Sequence, residues 1–176
     1  MKKTVLTFGL ISGAIISAMF MITVPMYRNG TLTMDHGEVI GYSTMVISLS
    51  LIFFGIKSYR DRHLHGAITF GKAFQTGLLI AGVASLFYAI SWEFAFNLFF
   101  PDFMDQYAAM CMTKAKAGGA SPAEIQKVMD QLNQTKEIYK NPFLRFGLTL
   151  MEIFPVGLVI ALISAAILRK REILPV

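Results

Sequence analysis

Four blocks of nearly continuous apolar residues divide the chain, at about 4–26, 39–56, 73–100 and 143–168. A helix needs roughly 20 apolar residues to cross a hydrocarbon core about 30 Å thick, and each block is close to or above that length. The third, Ala73 to Phe100, is the longest and contains one ionisable residue, Glu93. Its excess length predicts tilt or projection beyond the bilayer. Shorter polar stretches separate the first three blocks: Tyr27 to Glu38, and a basic loop from Lys57 to Gly66. The pattern predicts an all-α integral membrane protein, a single membrane domain over 1–176 with four transmembrane helices. The first block is longer than the apolar core of a secretory signal, and Thr23-Val24-Pro25-Met26 offers no small-residue cleavage pattern, so it reads as a retained span.

The only long polar region, 102–141, lies between the third and fourth spans. Phe103, Tyr107 and Met110 form an apolar stripe at helical spacing, and Gly118-Gly119-Ala120 ends that helix. Ser121-Pro122 with Glu124 then marks a second helix start, with Ser as N-cap, Pro in the first turn and Glu reaching back. Ile125, Val128, Leu132 and Tyr139 line one face of that helix. Lys127, Asp130, Lys136, Glu137 and Lys140 line the other. The expectation is an extracytoplasmic helical hairpin lying over the outer ends of the spans.

Small residues recur at four-residue spacing in three of the spans: Gly9, Gly13 and Ser17; Gly77, Ala81 and Ser85; Gly157, Ala161 and Ala165. Such stripes let helix backbones approach closely where lipid removes the hydrophobic drive. They predict a tightly packed bundle, a homo-oligomer, or both. Ser43, Thr44, Ser48 and Ser50 speckle the second span and can bond their own helix carbonyls or a neighbouring helix.

Composition sharpens this reading. Of 176 residues 55% are hydrophobic and 15% charged, against about 25% charged in soluble domains. The net charge of +5 does not indicate nucleic acid, because the basic residues gather at span ends. Lys2 and Lys3, the group Lys57, Arg60, Arg62 and Lys72, and the run Arg169-Lys170-Arg171 share one side of a four-span topology. The positive-inside bias makes that side cytoplasmic, both termini included. Lys57, Arg60, Arg62 and Lys72 are also candidate contacts for anionic lipid headgroups. The sequons Asn29-Gly30-Thr31 and Asn133-Gln134-Thr135 fall on the outer side and read as chance in a bacterial-looking chain. One cysteine, Cys111, allows neither an internal disulfide nor a cysteine metal cluster. His36, His63 and His65 show no ligand spacing. No metal site and no cofactor is expected.

Phe54-Gly55-Ile56-Lys57-Ser58-Tyr59-Arg60-Asp61, then Gly66 with Ile68-Thr69-Phe70-Gly71-Lys72-Ala73-Phe74, and the outer helical insert, resemble a bacterial group of four-span membrane proteins, the domain-of-unknown-function family 4199. The resemblance covers nearly the whole chain. It implies four spans in a bacterial inner membrane, brings no assigned activity and carries over no catalytic residues.

Two acids remain inside spans, Glu93 and Glu152. Counted from the cytoplasmic helix ends, they lie about 30 Å and 25 Å away, at similar depths. Arg145 precedes Glu152 by seven residues on the same helical face. A charge within a span is costly unless paired or facing water. Glu93 and Glu152, with Arg145, Trp92, Tyr88 and His36 as neighbours, are therefore expected to face the interior or an outer vestibule. The leading expectation is a non-enzymatic scaffold that associates with itself or a membrane partner, its hairpin the recognition surface. The alternative is a small-solute or ion carrier coupled to protons or cations at Glu93 and Glu152, with Trp92 and Tyr88 supplying aromatic faces. A plainer reading of Glu93 is that it bonds Asn97 or the outer helices and anchors the bundle. A lipid-modifying membrane enzyme is a third reading, which no metal or nucleophile motif supports.

Overall fold

The computed structural model describes residues 1–32 and 34–170, with the side chains of Tyr27, Arg28, Met34, Asp35 and Glu38 outside that description; Arg171 of the terminal basic run also lies outside it. The described residues form α1 (Lys2–Arg28), α2 (Met34–Leu49), α3 (Leu51–His63), α4 (Phe70–Leu98), α5 (Phe103–Ala117), α6 (Pro122–Lys140) and α7 (Pro142–Leu168). Four segments are long and apolar enough to cross a membrane: Lys2–Met26, Val39–His63, Phe70–Leu98 and Pro142–Leu168. All four carry exposed large apolar side chains, among them Leu6, Ile47, Phe94 and Ile167, as lipid contact requires.

The second span departs from expectation in two ways. It is two helices joined at Ser50, whose hydroxyl donates to the Ile47 carbonyl at 2.6 Å, a side-chain bond that competes with the helical ladder. It also runs on to His63, so Lys57 to His63 are the closing turns of α3 and not a loop. Lys and Arg are good helix formers, and their charge complements the carbonyl end of a helix. The chain turns only at His65 and Gly66, whose φ angles are 51° and 87°, with the Gly66 N–H returning to the Arg60 carbonyl at 3.1 Å.

The helices of the insert begin and end at local signals. Ser121 accepts from the Glu124 N–H, and the Glu124 carboxylate accepts from the Ser121 N–H at 2.7 Å, a complete capping box. This hydrogen bond holds the Glu124 carboxyl below the usual carboxylate range. Asn141 caps α7, its Oδ1 accepting from the Phe143 N–H at 2.9 Å.

Helix α4 packs along both α1 and α7. Small residues set these seams. A Cβ on Gly13 would lie 2.9 Å from the Ala84 carbonyl oxygen, and one on Gly9 2.6 Å from Val83 Cβ. On the other seam, a Cβ on Gly157 would lie 2.8 Å from Ala81 Cβ, and one on Gly77 3.0 Å from Ala161 Cβ. Ser17, Ser85 and Ala165 are buried along the same lines. All three stripes therefore close contacts within one chain. Ser12, Ser17, Ser48 and Ser85 have buried hydroxyls with no hydrogen-bond partner among the described residues; their role in the packing is that of small spacers. Leu49, Ile52, Ile56, Ile80 and Ile153 complete the core.

At the end of the bundle that holds the described termini, Ile68 and Lys170 exchange two backbone hydrogen bonds, both 2.9 Å. Arg60 adds a bond to the Leu168 carbonyl at 3.3 Å and a 2.7 Å bond to Asp61. The insert of α5 and α6 lies at the opposite end, called the hairpin end below.

Candidate functional site

Arg145 and Glu93 meet at the hairpin end. Arg145 sits in the first turn of α7 and Glu93 near the end of α4, so both lie within about 8 Å, along their axes, of the helix ends beside the insert. The contact is bidentate: Nε donates to Oε1 at 2.9 Å and Nη2 to Oε2 at 2.5 Å. Nη1 donates to the Tyr139 carbonyl at 2.8 Å, and the guanidinium lies 4.0 Å over the Phe96 ring. The Arg145 side chain is 3% exposed and that of Glu93 20%. Two parallel charge-assisted bonds of this kind are among the strongest pairings a protein makes. Asn97 bonds the Glu93 backbone carbonyl at 2.7 Å and leaves the carboxylate to Arg145.

Trp92 and its neighbours form an aromatic cluster beside this pair. Its ring contacts Phe20 at 5.2 Å and Phe103 at 4.9 Å, both edge to face. Phe96 and Tyr139 extend the cluster. The cluster docks the insert onto α4, because Phe103 belongs to α5 and Tyr139 to α6. Burial pushes the Tyr139 hydroxyl above its ordinary pKa, and the Glu152 and Glu93 carboxylates add to that push while Arg145 opposes it.

Glu152 is separate from the ion pair. It lies about 15 Å along α7 from Pro142, level with Tyr88 rather than with Glu93. The two acids, expected at similar depths, lie about 8 Å and about 15 Å from the helix ends beside the insert, Leu98 and Pro142, and so sit at different levels. Arg145, Thr149, Ile153, Gly157 and Ala161 are the buried stripe of α7. Glu152 is at the edge of that stripe and opens into a cavity of about 460 Å³. Among the described residues its carboxylate has no hydrogen bond and no ion pair. Its side chain is exposed and lines the cavity.

The cavity is built from five helices. Helix α1 supplies Ile16, Met19, Phe20, Thr23 and Val24, and α2 supplies Gly41, Tyr42, Thr44 and Met45. Tyr88 of α4 closes one side, and Phe103, Gln106, Tyr107 and Met110 of α5 cover it. Glu152 is the one carboxylate among the described lining residues. The volume falls in the range of small-molecule sites.

Of the residues singled out from sequence, Tyr88 and Glu152 thus share the cavity, while Glu93, Arg145 and Trp92 form the adjoining pair and cluster. Lys57, Arg62 and Lys72 are exposed at the far end, and Arg60 is partly buried against α7. Met45, Phe20 and Tyr42 were not singled out, because nothing in an apolar span marks which face borders a void. The α5 stripe of Phe103, Tyr107 and Met110 was visible, and it faces the cavity. Among the described residues no group of three His, Cys, Asp or Glu side chains converges as a metal site would need.

No curated protein and no solved structure shows significant similarity to the chain. A family model described as protein of unknown function DUF4199 matches residues 7–170, nearly all of the four spans and the insert, and the chain belongs to that family.

Proposed function

We propose that this chain is a non-enzymatic membrane protein that takes a small amphiphilic solute into the Glu152 cavity, the binding step of a carrier. The observation that carries the reading is an apolar and aromatic cavity of about 460 Å³ in which Glu152 is the one carboxylate among the described lining residues. The carrier expected from sequence used Glu93 and Glu152 together; in this proposal Glu152 faces the solute and Glu93 fixes the frame. The scaffold reading has less behind it. A partner-binding hairpin needs an exposed apolar patch, and the Ile125, Val128 and Leu132 stripe of α6 is half-buried. The small-residue stripes that would have formed a seam between copies are engaged within the chain.

The proposed setting is a bacterial inner membrane, with the basic end and both termini in the cytoplasm and the hairpin outside. The exposed Lys57, Arg62, Lys72, Arg169 and Lys170 at one end support this orientation. The same residues are the proposed contacts for anionic lipid at the inner leaflet.

The test uses Trp92, the single tryptophan, which touches Phe20 and Phe103 of the cavity wall. In nanodiscs, 1-bromohexane entering the cavity quenches Trp92 emission by the heavy-atom effect. Gly41 lines the cavity, and a Cβ added there meets nothing within 4 Å, so Gly41→Phe fills the space without a clash at its root. The wild type is expected to be quenched more steeply than Gly41→Phe at equal lipid concentration. Equal quenching would remove the reading.

A further inference from the structure

We infer that the solute is an organic monocation with an apolar body, its charge placed at Glu152. The inference rests on the proposed function and specifies its ligand.

A carboxylate on a cavity wall within a span needs a counter-charge or water. Arg145, the basic residue that precedes Glu152 on α7, is buried against Glu93. Among the described lining residues there is no Lys or Arg, so an anionic solute would meet the Glu152 charge with nothing to offset it. A bare divalent metal ion is equally unsuited, since the described lining sets one carboxylate against its two charges and no three His, Cys, Asp or Glu side chains converge among the described residues.

The rest of the wall fits the apolar part of such a cation. Tyr42, Tyr88 and Phe103 present aromatic rings, whose faces attract alkylammonium groups. Met19, Met45 and Met110 add flexible, polarisable thioethers that adapt to varied shapes. One carboxylate, aromatic rings and methionines together select a single positive charge on an apolar body.

The experiment extends the Trp92 assay in zwitterionic phosphatidylcholine nanodiscs, with 1-bromohexane as reporter. Hexyltrimethylammonium and hexanesulfonate, which carry the same chain and opposite charge, compete for the cavity. The ammonium is expected to restore emission at about tenfold lower concentration than the sulfonate, the scale of one desolvated cation contact. Glu152→Gln is expected to keep the 1-bromohexane quenching and erase the ratio; Glu152→Asp is expected to keep both. Equal potency of the two competitors in wild type, or a ratio that survives in Glu152→Gln, would overturn the cation assignment while leaving an occupied cavity. If 1-bromohexane does not separate wild type from Gly41→Phe, the cavity reading fails and this inference fails with it.

Discussion

Removing Glu93 should destabilise the bundle by stranding Arg145. The Glu93→Gln change removes the carboxylate charge and leaves one amide oxygen as acceptor in place of two carboxylate oxygens, whose charge-assisted bonds are each worth about 1.5–3 kcal/mol. Arg145 is 3% exposed, stays charged, and apart from that amide oxygen keeps only the Tyr139 carbonyl and the Phe96 face. Breaking a fully buried pair costs about 3–5 kcal/mol. Here Glu93 is 20% exposed and near a helix end, so solvent screens part of the interaction, and about 2–3 kcal/mol is expected. The assay is unfolding in mixed micelles titrated with sodium dodecyl sulfate, followed by far-ultraviolet circular dichroism. The companion measurement is the double change Glu93→Leu with Arg145→Leu, which removes both charges together. It should cost clearly less than the sum of the two single changes, with a coupling of about 2 kcal/mol. Additive costs, or a Glu93→Gln protein within about 0.5 kcal/mol of wild type, would refute the claim that this pair fixes the hairpin end.

Other outcomes follow from the same geometry. Gly13→Ala places a methyl 2.9 Å from the backbone oxygen of Ala84 and should cost about 1–3 kcal/mol in the same micelle titration. Gly82→Ala meets nothing within 4 Å and should be neutral or stabilising by up to about 1 kcal/mol. The Glu124 carboxyl has a lowered pKa in the folded hairpin, so its contribution is complete above the ordinary carboxylate value and is lost as pH falls through the lowered one. Amide exchange in the first turn of α6 should therefore quicken in that acidic window, and a carboxyl resonance of Glu124 titrating above the ordinary value would contradict the capping geometry. For topology, Met129 on the exposed face of α6 can be changed to cysteine in a Cys111→Ser background. An impermeant maleimide should label it in intact cells, and labelling only after lysis would reverse the proposed orientation.

Local signals in the sequence carry the helical frame well. Ser121, Pro122 and Glu124 locate the start of α6, and Asn141-Pro142 the start of α7, because caps act within a few residues. The basic stretch Lys57 to His63 was harder: charge marks the membrane boundary, but helix propensity lets α3 run through it to His63, just before the turn at His65 and Gly66. The Glu93–Arg145 pair joins residues 52 apart in sequence, so it depends on how α4 and α7 are staggered. Counting from the hairpin-side ends, Leu98 and Pro142, would have set the two side by side. The cavity was least legible. It is space left between α1, α2, α4, α5 and α7, and vacant volume has no residue pattern of its own.

The paired backbone bonds between Ile68 and Lys170, reinforced by Arg60 on Leu168, make the bundle mechanically lopsided. The α3–α4 turn and the tail of α7 are stitched together at one end, like the bound edge of a book. Any splaying of α7 from its neighbours pivots there, and a given angle opens the widest gap at the far edge, where the Glu93–Arg145 pair, with Phe96 against the guanidinium, is the clasp. A crosslink across the hairpin end should therefore arrest such breathing, whereas one added beside Ile68 should change little.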